Sequence, residues 1–151
     1  MRGYARTPRS IEGVATFAGS DQLAAFADGL DIVVSVLPLT LETTGIMNAG
    51  FFGMLADGAF IINGGRGPQV DDDDLLAAVG SGKLGGAALD VFAVEPLSQD
   101  HPFWTHPKVR VWPHVAAQTN ATSAAEQVAA AITAMMDGSE PANRVDWSRG
   151  Y

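Results

Sequence analysis

"AFIINGGRGPQVDDDDLL", residues 59–76, joins three local patterns whose order decides the fold. The apolar run 59–63 reads as a strand, Gly64 and Gly65 stop it, and four aspartates lead into a helical stretch, 71–79. Asp71 is placed to cap that helix, and carboxylates in its first turn complement the helix dipole. Strand, glycine loop and helix make the unit from which α/β layers are built. The alternation continues in both directions. Further strands are expected over 3–6, 31–37 ("DIVVSVL"), 86–92 ("GAALDVF") and 109–112 ("VRVW"), and further helices over 21–27, 49–55 and 123–136. The runs 31–37 and 59–63 are unbroken apolar stretches, the pattern of parallel strands covered on both faces. The expected fold class is therefore α/β around a parallel sheet.

Composition bounds the function. In 151 residues, 47% hydrophobic and 17% charged, there is material for one compact domain with a sizeable core. Seventeen acidic against nine basic side chains give a net charge of −8, which opposes any general attraction to nucleic acid or to an anionic membrane. The chain has no cysteine, hence neither a disulfide framework nor a thiolate metal site. No apolar run approaches the roughly 18 residues of a membrane span, and "MRGYARTPRS" lacks the apolar segment of a signal peptide. The expectation is a soluble cytoplasmic protein.

Three residues stand out by position. Arg66, Glu95 and His114 each follow the expected end of a different strand by two to four residues. Parallel strands bring such positions to one edge of the sheet, where open α/β folds bind their ligands. A guanidinium binds a carboxylate bidentately, and an imidazole steadied by a carboxylate moves a proton near neutral pH. The set suits a small carboxylate substrate. Taken singly, Arg66 is an ordinary surface arginine and Glu95 a solvated loop carboxylate; their joint placement carries the reading. Asp71 to Asp74 are read as helix-terminal charges and not as a metal site. His101 and His106, in "DHPFWTHP", are read as packing residues of a loop anchored by Phe103 and Trp104.

At these residues the sequence resembles the D-isomer-specific 2-hydroxyacid dehydrogenases, and more narrowly their glyoxylate/hydroxypyruvate reductase branch. The likeness runs through "SVLPLTLETTGIMN", "LADGAFIINGGRG", "LLAAVGSGKLGGAALDVFAVEPL", "HPFW", "PHVAAQT" and the terminal "VDWSRGY". It implies that Arg66 binds the substrate carboxylate and polarises its carbonyl, that His114 is the general acid of reduction, and that Glu95 keeps the imidazole protonated. The implied substrate is a small 2-keto or 2-hydroxy acid, and the implied assembly a homo-oligomer. Asp90 is implied to hold the nicotinamide carboxamide, with Ala116 also lining the cofactor. Leu37 and Pro38 are implied on its adenine or ribose side, and Gly64 and Gly65 where the backbone approaches the nicotinamide. Arg6 stands where an NAD-preferring domain ends its second strand with Asp or Glu. Arg6, Thr7 and Arg9 are cations and a hydroxyl suited to a 2′-phosphate, so NADP is favoured over NAD.

The departures matter as much. The one GxGxxG string, residues 80–85, follows an expected helix and leads into a strand, the reverse of the order a phosphate-binding turn needs, and no strand is expected before Gly3. The resemblance therefore implies a partial Rossmann-type, doubly wound parallel sheet that lacks the first strand and the glycine-rich turn. Residues 1–151 would be an incomplete NAD(P)-binding domain, with 120–151 as its crossover helix and tail. With the central strand missing, the second strand and "DIVVSVL" are expected to flank a gap. The stripe from Ala124 to Met136 is expected to be core packing or to face a partner domain. The competing expectation is a non-catalytic remnant that serves as an oligomerisation or interaction module.

Overall fold

The computed structural model describes residues 1–147; residues 148–151, which end the expected tail and the "VDWSRGY" block, lie outside the described residues. The chain divides into two compact units, Met1–His114 and the segment from Val115 onward.

In the first unit the strands are β1 (Arg2–Ala5), β2 (Ala15–Ala18), β3 (Ile32–Ser35), β4 (Ala59–Asn63), β5 (Leu84–Leu89) and β6 (Val109–Val111). The helices are α1 (Leu23–Ala27), α2 (Ala49–Met54) and α3 (Asp72–Ser81). Every strand pair is parallel: β1 with β2 in one sheet, and β3-β4-β5-β6 in order in another. The α/β reading is correct. β2 is a strand that the sequence reading missed, because four residues, "ATFA", carry too short a pattern to register. β3 is shorter than its apolar run, and β5 begins and ends earlier than expected. Pairing of Leu84 with Ala59 extends β5 backward, and its pairing with β6 stops at Leu89 opposite Val111. Glu95 consequently lies six residues beyond its strand, not three.

The core is the face of the second sheet on which α2 and α3 contribute Phe52, Leu75 and Val79, packed with Ile61, Leu84 and Leu89. Asp71 caps α3 as expected, accepting from the Asp74 N–H at 3.0 Å. Asp74 in turn accepts from the Ala49 N–H at 2.8 Å, joining the starts of α2 and α3. Gly67 marks the closest approach in the unit. A Cβ there would stand 1.8 Å from the Phe92 carbonyl carbon, so the turn after β4 and the segment that follows β5 must separate to admit it. Gly67→Ala is expected to destabilise the unit by about 3 kcal/mol. The check is the urea midpoint, and a midpoint equal to that of the parent chain would refute this contact.

Only one face of β3 and β4 is covered among the described residues. Ile32, Val34, Phe60 and Ile62, which alternate with the buried positions, are 60, 59, 50 and 40% exposed. The expectation of cover on both faces fails, since α1, α2 and α3 supply helices for one.

The expected gap is present. No described strand pairs with the second edge of β1 or of β3. Met1 and Ala5 direct their carbonyls to β2, and Asp31 and Ser35 direct theirs to β4. The alternation of a parallel ladder therefore turns the main-chain groups of Arg2 and Tyr4, and of Ile32 and Val34, to these second edges. Both strands wall one apolar groove of about 230 Å³, lined also by Phe26, Met47 and Phe51.

The second unit contains α4 (Ala121–Met136), capped by Asn120, which accepts from the N–H groups of Thr122 and Ser123. None of its residues is buried. Val128, Ile132, Met135 and Met136 are exposed on it.

Candidate active site

The loop after β4 is built by a buried asparagine. Asn63 Oδ1 accepts from the Gly65 N–H at 3.0 Å, and its Nδ2 donates to the Arg66 carbonyl at 3.2 Å. Its main-chain carbonyl accepts from the Asp90 N–H at 3.0 Å. One residue thus curls the loop that carries Arg66 and ties it to the end of β5, where Asp90 is itself buried. The Arg66 side chain is exposed, with Nη1 donating to the Gly65 carbonyl at 2.7 Å.

Glu95 and His114 form a directed pair. Glu95 Oε2 lies 2.8 Å from His114 Nδ1, while Oε1 accepts from the Phe92 N–H at 2.9 Å. Both carboxylate oxygens are engaged, which fixes the plane the imidazole meets. The hydrogen bond from His114 above all, then that from the Phe92 N–H and more weakly the charge of Arg66, hold the Glu95 carboxyl below its ordinary 4.5. Arg66 is therefore close enough for its charge to be felt at the pair. Because the folded pKa is depressed, the pair's contribution to stability is present above pH 4.5 and is lost as the pH falls through the folded value. His114 has φ +56°, a left-handed backbone that costs a residue with a Cβ about 1 kcal/mol or more and is characteristic of functional sites. With Nδ1 turned to Glu95, proton transfer to a ligand falls to Nε2. Glu95 and His114 border a hollow of about 370 Å³ lined also by Phe92, Leu97, Trp104 and Val111.

Other expected positions fall around this edge. Leu37 is half-buried and Pro38 exposed in the loop after β3; both carbonyls accept from Gln69 Nε2, at 2.9 and 3.0 Å. Gly64 has open surroundings, whereas Gly65 is packed by the chain itself: a Cβ there would stand 2.5 Å from Gln69 Oε1 and 2.9 Å from the Leu37 carbonyl. Arg6, Thr7 and Arg9 are exposed directly after β1. The Arg6 charge is the smallest of the influences lowering the Glu42 carboxyl, after the hydrogen bond from Thr40, so it reaches toward the loop after β3. Ala116 belongs to the second unit. His101 packs its ring 4.4 Å from Phe103, accepts from the Phe103 N–H and lies 3.7 Å from Asp72. His106 accepts from the Lys108 N–H. Both histidines serve their loop, as the sequence suggested.

The reading of the sequence missed Asn63 and Gln69, each fully buried. The signal was a polar residue at each flank of "GGRGP", one closing an apolar strand and one preceding Val70.

The sequence profile described as "D-isomer specific 2-hydroxyacid dehydrogenase, NAD binding domain" matches residues 1–116. The chain belongs to this family. Glyoxylate/hydroxypyruvate reductase A of Serratia proteamaculans is 48% identical over 151 residues, all of this chain and 48% of that protein. The protein of that name from Yersinia enterocolitica is 47% identical over the same span. Among solved structures, a D-isomer specific 2-hydroxyacid dehydrogenase from Xanthobacter autotrophicus in complex with NADPH and MES superposes with a TM-score of 0.96 at 45% identity, covering 99% of this chain and 62% of that one. An NADPH-dependent glyoxylate/hydroxypyruvate reductase from Sinorhizobium meliloti, in complex with NADP and sulfate, superposes with a TM-score of 0.94 at 40% identity, covering 99% and 49%. The chain thus spans about half the length of the curated relatives it matches. As a member of this dehydrogenase family it has a Rossmann-type NAD-binding fold, here seen as two parallel sheets across an apolar groove. No described helix is long and apolar enough to cross a membrane.

Proposed function

We propose that this chain is the cofactor-binding and proton-donating half of a cytoplasmic, NADP-dependent reductase that converts a small 2-keto acid, of the glyoxylate or hydroxypyruvate kind, to its 2-hydroxy acid. The observation that carries the reading is the Glu95–His114 pair at 2.8 Å, within reach of the Arg66 charge at the C-terminal edge of the sheet. Arg66 binds the substrate carboxylate and polarises the adjacent carbonyl. His114, held by Glu95, donates a proton from Nε2 to the carbonyl oxygen as it becomes an alkoxide. NADPH, when bound, supplies the hydride. In this reading residues 1–151 belong to one cofactor-binding domain, with 120–151 as crossover helix and tail, and the assembly is a homo-oligomer.

The residues present fit that cofactor. Two exposed cations, Arg6 and Arg9, and Thr7 follow β1 with no acidic side chain among them, which suits a 2′-phosphate. Leu37 and Pro38 would line the adenine or ribose side, Gly64 and Gly65 the nicotinamide approach, Asp90 the carboxamide, and Ala116 the remaining wall. The test is a full-length fusion of this chain to the part of the Serratia reductase that it does not match. The fusion is expected to reduce glyoxylate or hydroxypyruvate with NADPH preferred over NADH. Arg6→Asp should shift that preference toward NADH by about tenfold or more, the weight of one charge-assisted bond. Unchanged relative efficiency with the two cofactors would sink the 2′-phosphate assignment.

A further inference from the structure

Every hydrogen-bonding group of the Gln69 side chain is engaged. The residue is fully buried, 0% exposed, and lies three residues after Arg66. A primary amide has two donors and an acceptor oxygen with two lone pairs, and here each is engaged. Nε2 donates to the carbonyls of Leu37 and Pro38 at 2.9 and 3.0 Å. Oε1 accepts from the Arg66 N–H at 3.1 Å and, at a longer 3.4 Å, from the Ser35 hydroxyl. The orientation of the amide is set by these partners, because the reversed group would face an N–H with an N–H and two carbonyls with an oxygen. Gly65 completes the fit, since any Cβ there would collide with Oε1.

The two groups of partners belong to different strand ends. Leu37 and Pro38 follow β3, and Arg66 follows β4. These strands pair only as far as Ser35 with Asn63, and the Gly64 N–H adds one bond to the Ser35 carbonyl beyond that. Past this point the near ends of the two loops are tied by the Gln69 side chain, while their far ends are joined by the Gly45 and Met47 N–H groups, which donate to the Pro68 and Gln69 carbonyls at 2.9 Å. We infer that Gln69 is a positioning residue, which sets the distance and orientation of the loop bearing Arg66 against the loop of Leu37 and Pro38. The inference rests on the functional reading above, in which one loop holds the substrate carboxylate and the other lines the cofactor. Gln69 then fixes where the keto acid lies relative to its reductant without touching either.

The test has two arms. The first uses the fusion with the Serratia segment, since the chain alone is expected to self-associate, and measures amide hydrogen exchange by NMR. In Gln69→Met, which keeps length and shape but makes no hydrogen bond, the Arg66 N–H is expected to exchange about tenfold faster, the equivalent of one lost hydrogen bond. The amides of Ala87 and Leu89 in β5 should stay unchanged and report that the sheet is folded. Gln69→Glu keeps an acceptor for Arg66 and loses the donors to Leu37 and Pro38, so it should retain protection of the Arg66 N–H. The second arm uses the same fusion. Misplacement of the two loops is expected to raise the KM for glyoxylate roughly tenfold in Gln69→Met, and to lower kcat by a similar factor. In Gln69→Glu the larger change should fall on the KM for NADPH. A residue that only stabilised the fold would lower the amount of active enzyme and leave both KM values where they were. Unaltered exchange at Arg66 in Gln69→Met, or KM values within twofold of the parent fusion, would overturn the inference. A parent fusion with no reductase activity would sink the functional reading instead, and the exchange at Arg66 would still decide whether Gln69 holds the loop.

Discussion

In the full-length fusion, His114→Ala is expected to lower kcat for glyoxylate by about 10²- to 10⁴-fold with little change in KM, the usual contribution of a positioned general acid. The expectation follows from geometry. The imidazole has one nitrogen 2.8 Å from a carboxylate whose other oxygen is already fixed by the Phe92 N–H, so its ring plane and its proton on Nδ1 are set before substrate arrives. Glu95 is held below its ordinary 4.5 chiefly by that same contact, so the imidazole faces a carboxylate at neutral pH. Arg66→Ala should divide differently, raising the KM for the keto acid as well as lowering kcat, because a guanidinium contributes to ground-state binding before it polarises the carbonyl. Steady-state kinetics on the two variants make the comparison. If neither change touched turnover, the meeting of these side chains at the sheet edge would be a coincidence of packing.

How much of this was legible beforehand depends on the kind of residue. β4 was read to the residue, since "AFIIN" is apolar throughout and glycines bound it. β2 was not, because "ATFA" shows neither length nor clear alternation and is held by pairing with β1. The meeting of Glu95 with His114, near the Arg66 charge, was legible because each residue follows a readable strand, although Glu95 stands six residues past its own. Asn63 and Gln69 were not. Their importance lies in which carbonyls and N–H groups come within 3.2 Å of them, a property of how two loops pass each other that spacing along one strand does not contain. The gap between β1 and β3 shows a third case. It was expected only from the resemblance to a known family, and composition alone offers no sign of it.

The 151-residue chain expressed by itself is expected to turn over no keto acid, a complete loss against the fusion. Three observations lead there. The sequence contains no glycine-rich turn of the kind that presents backbone N–H groups and a helix N-terminus to a pyrophosphate, so the proposed cofactor would be held by Arg6, Thr7 and Arg9 at one end with little between. The second edges of β1 and β3 carry main-chain donors and acceptors that no described strand meets, across a groove of about 230 Å³. Beside that groove, Ile32, Val34, Phe60 and Ile62 expose an apolar sheet face. Unpaired strand edges next to exposed apolar surface recruit other chains. Self-association follows from the same features that deprive the site of its cofactor. An assay with glyoxylate and hydroxypyruvate under saturating NADPH, run beside light scattering on the same sample, joins the two consequences in one experiment. The expected product is oligomeric, binds NADPH weakly and is silent with both substrates. A monodisperse monomer that oxidises NADPH with either acid would show that the open groove is no obstacle to catalysis, and that the strand-end constellation needs nothing beyond this chain.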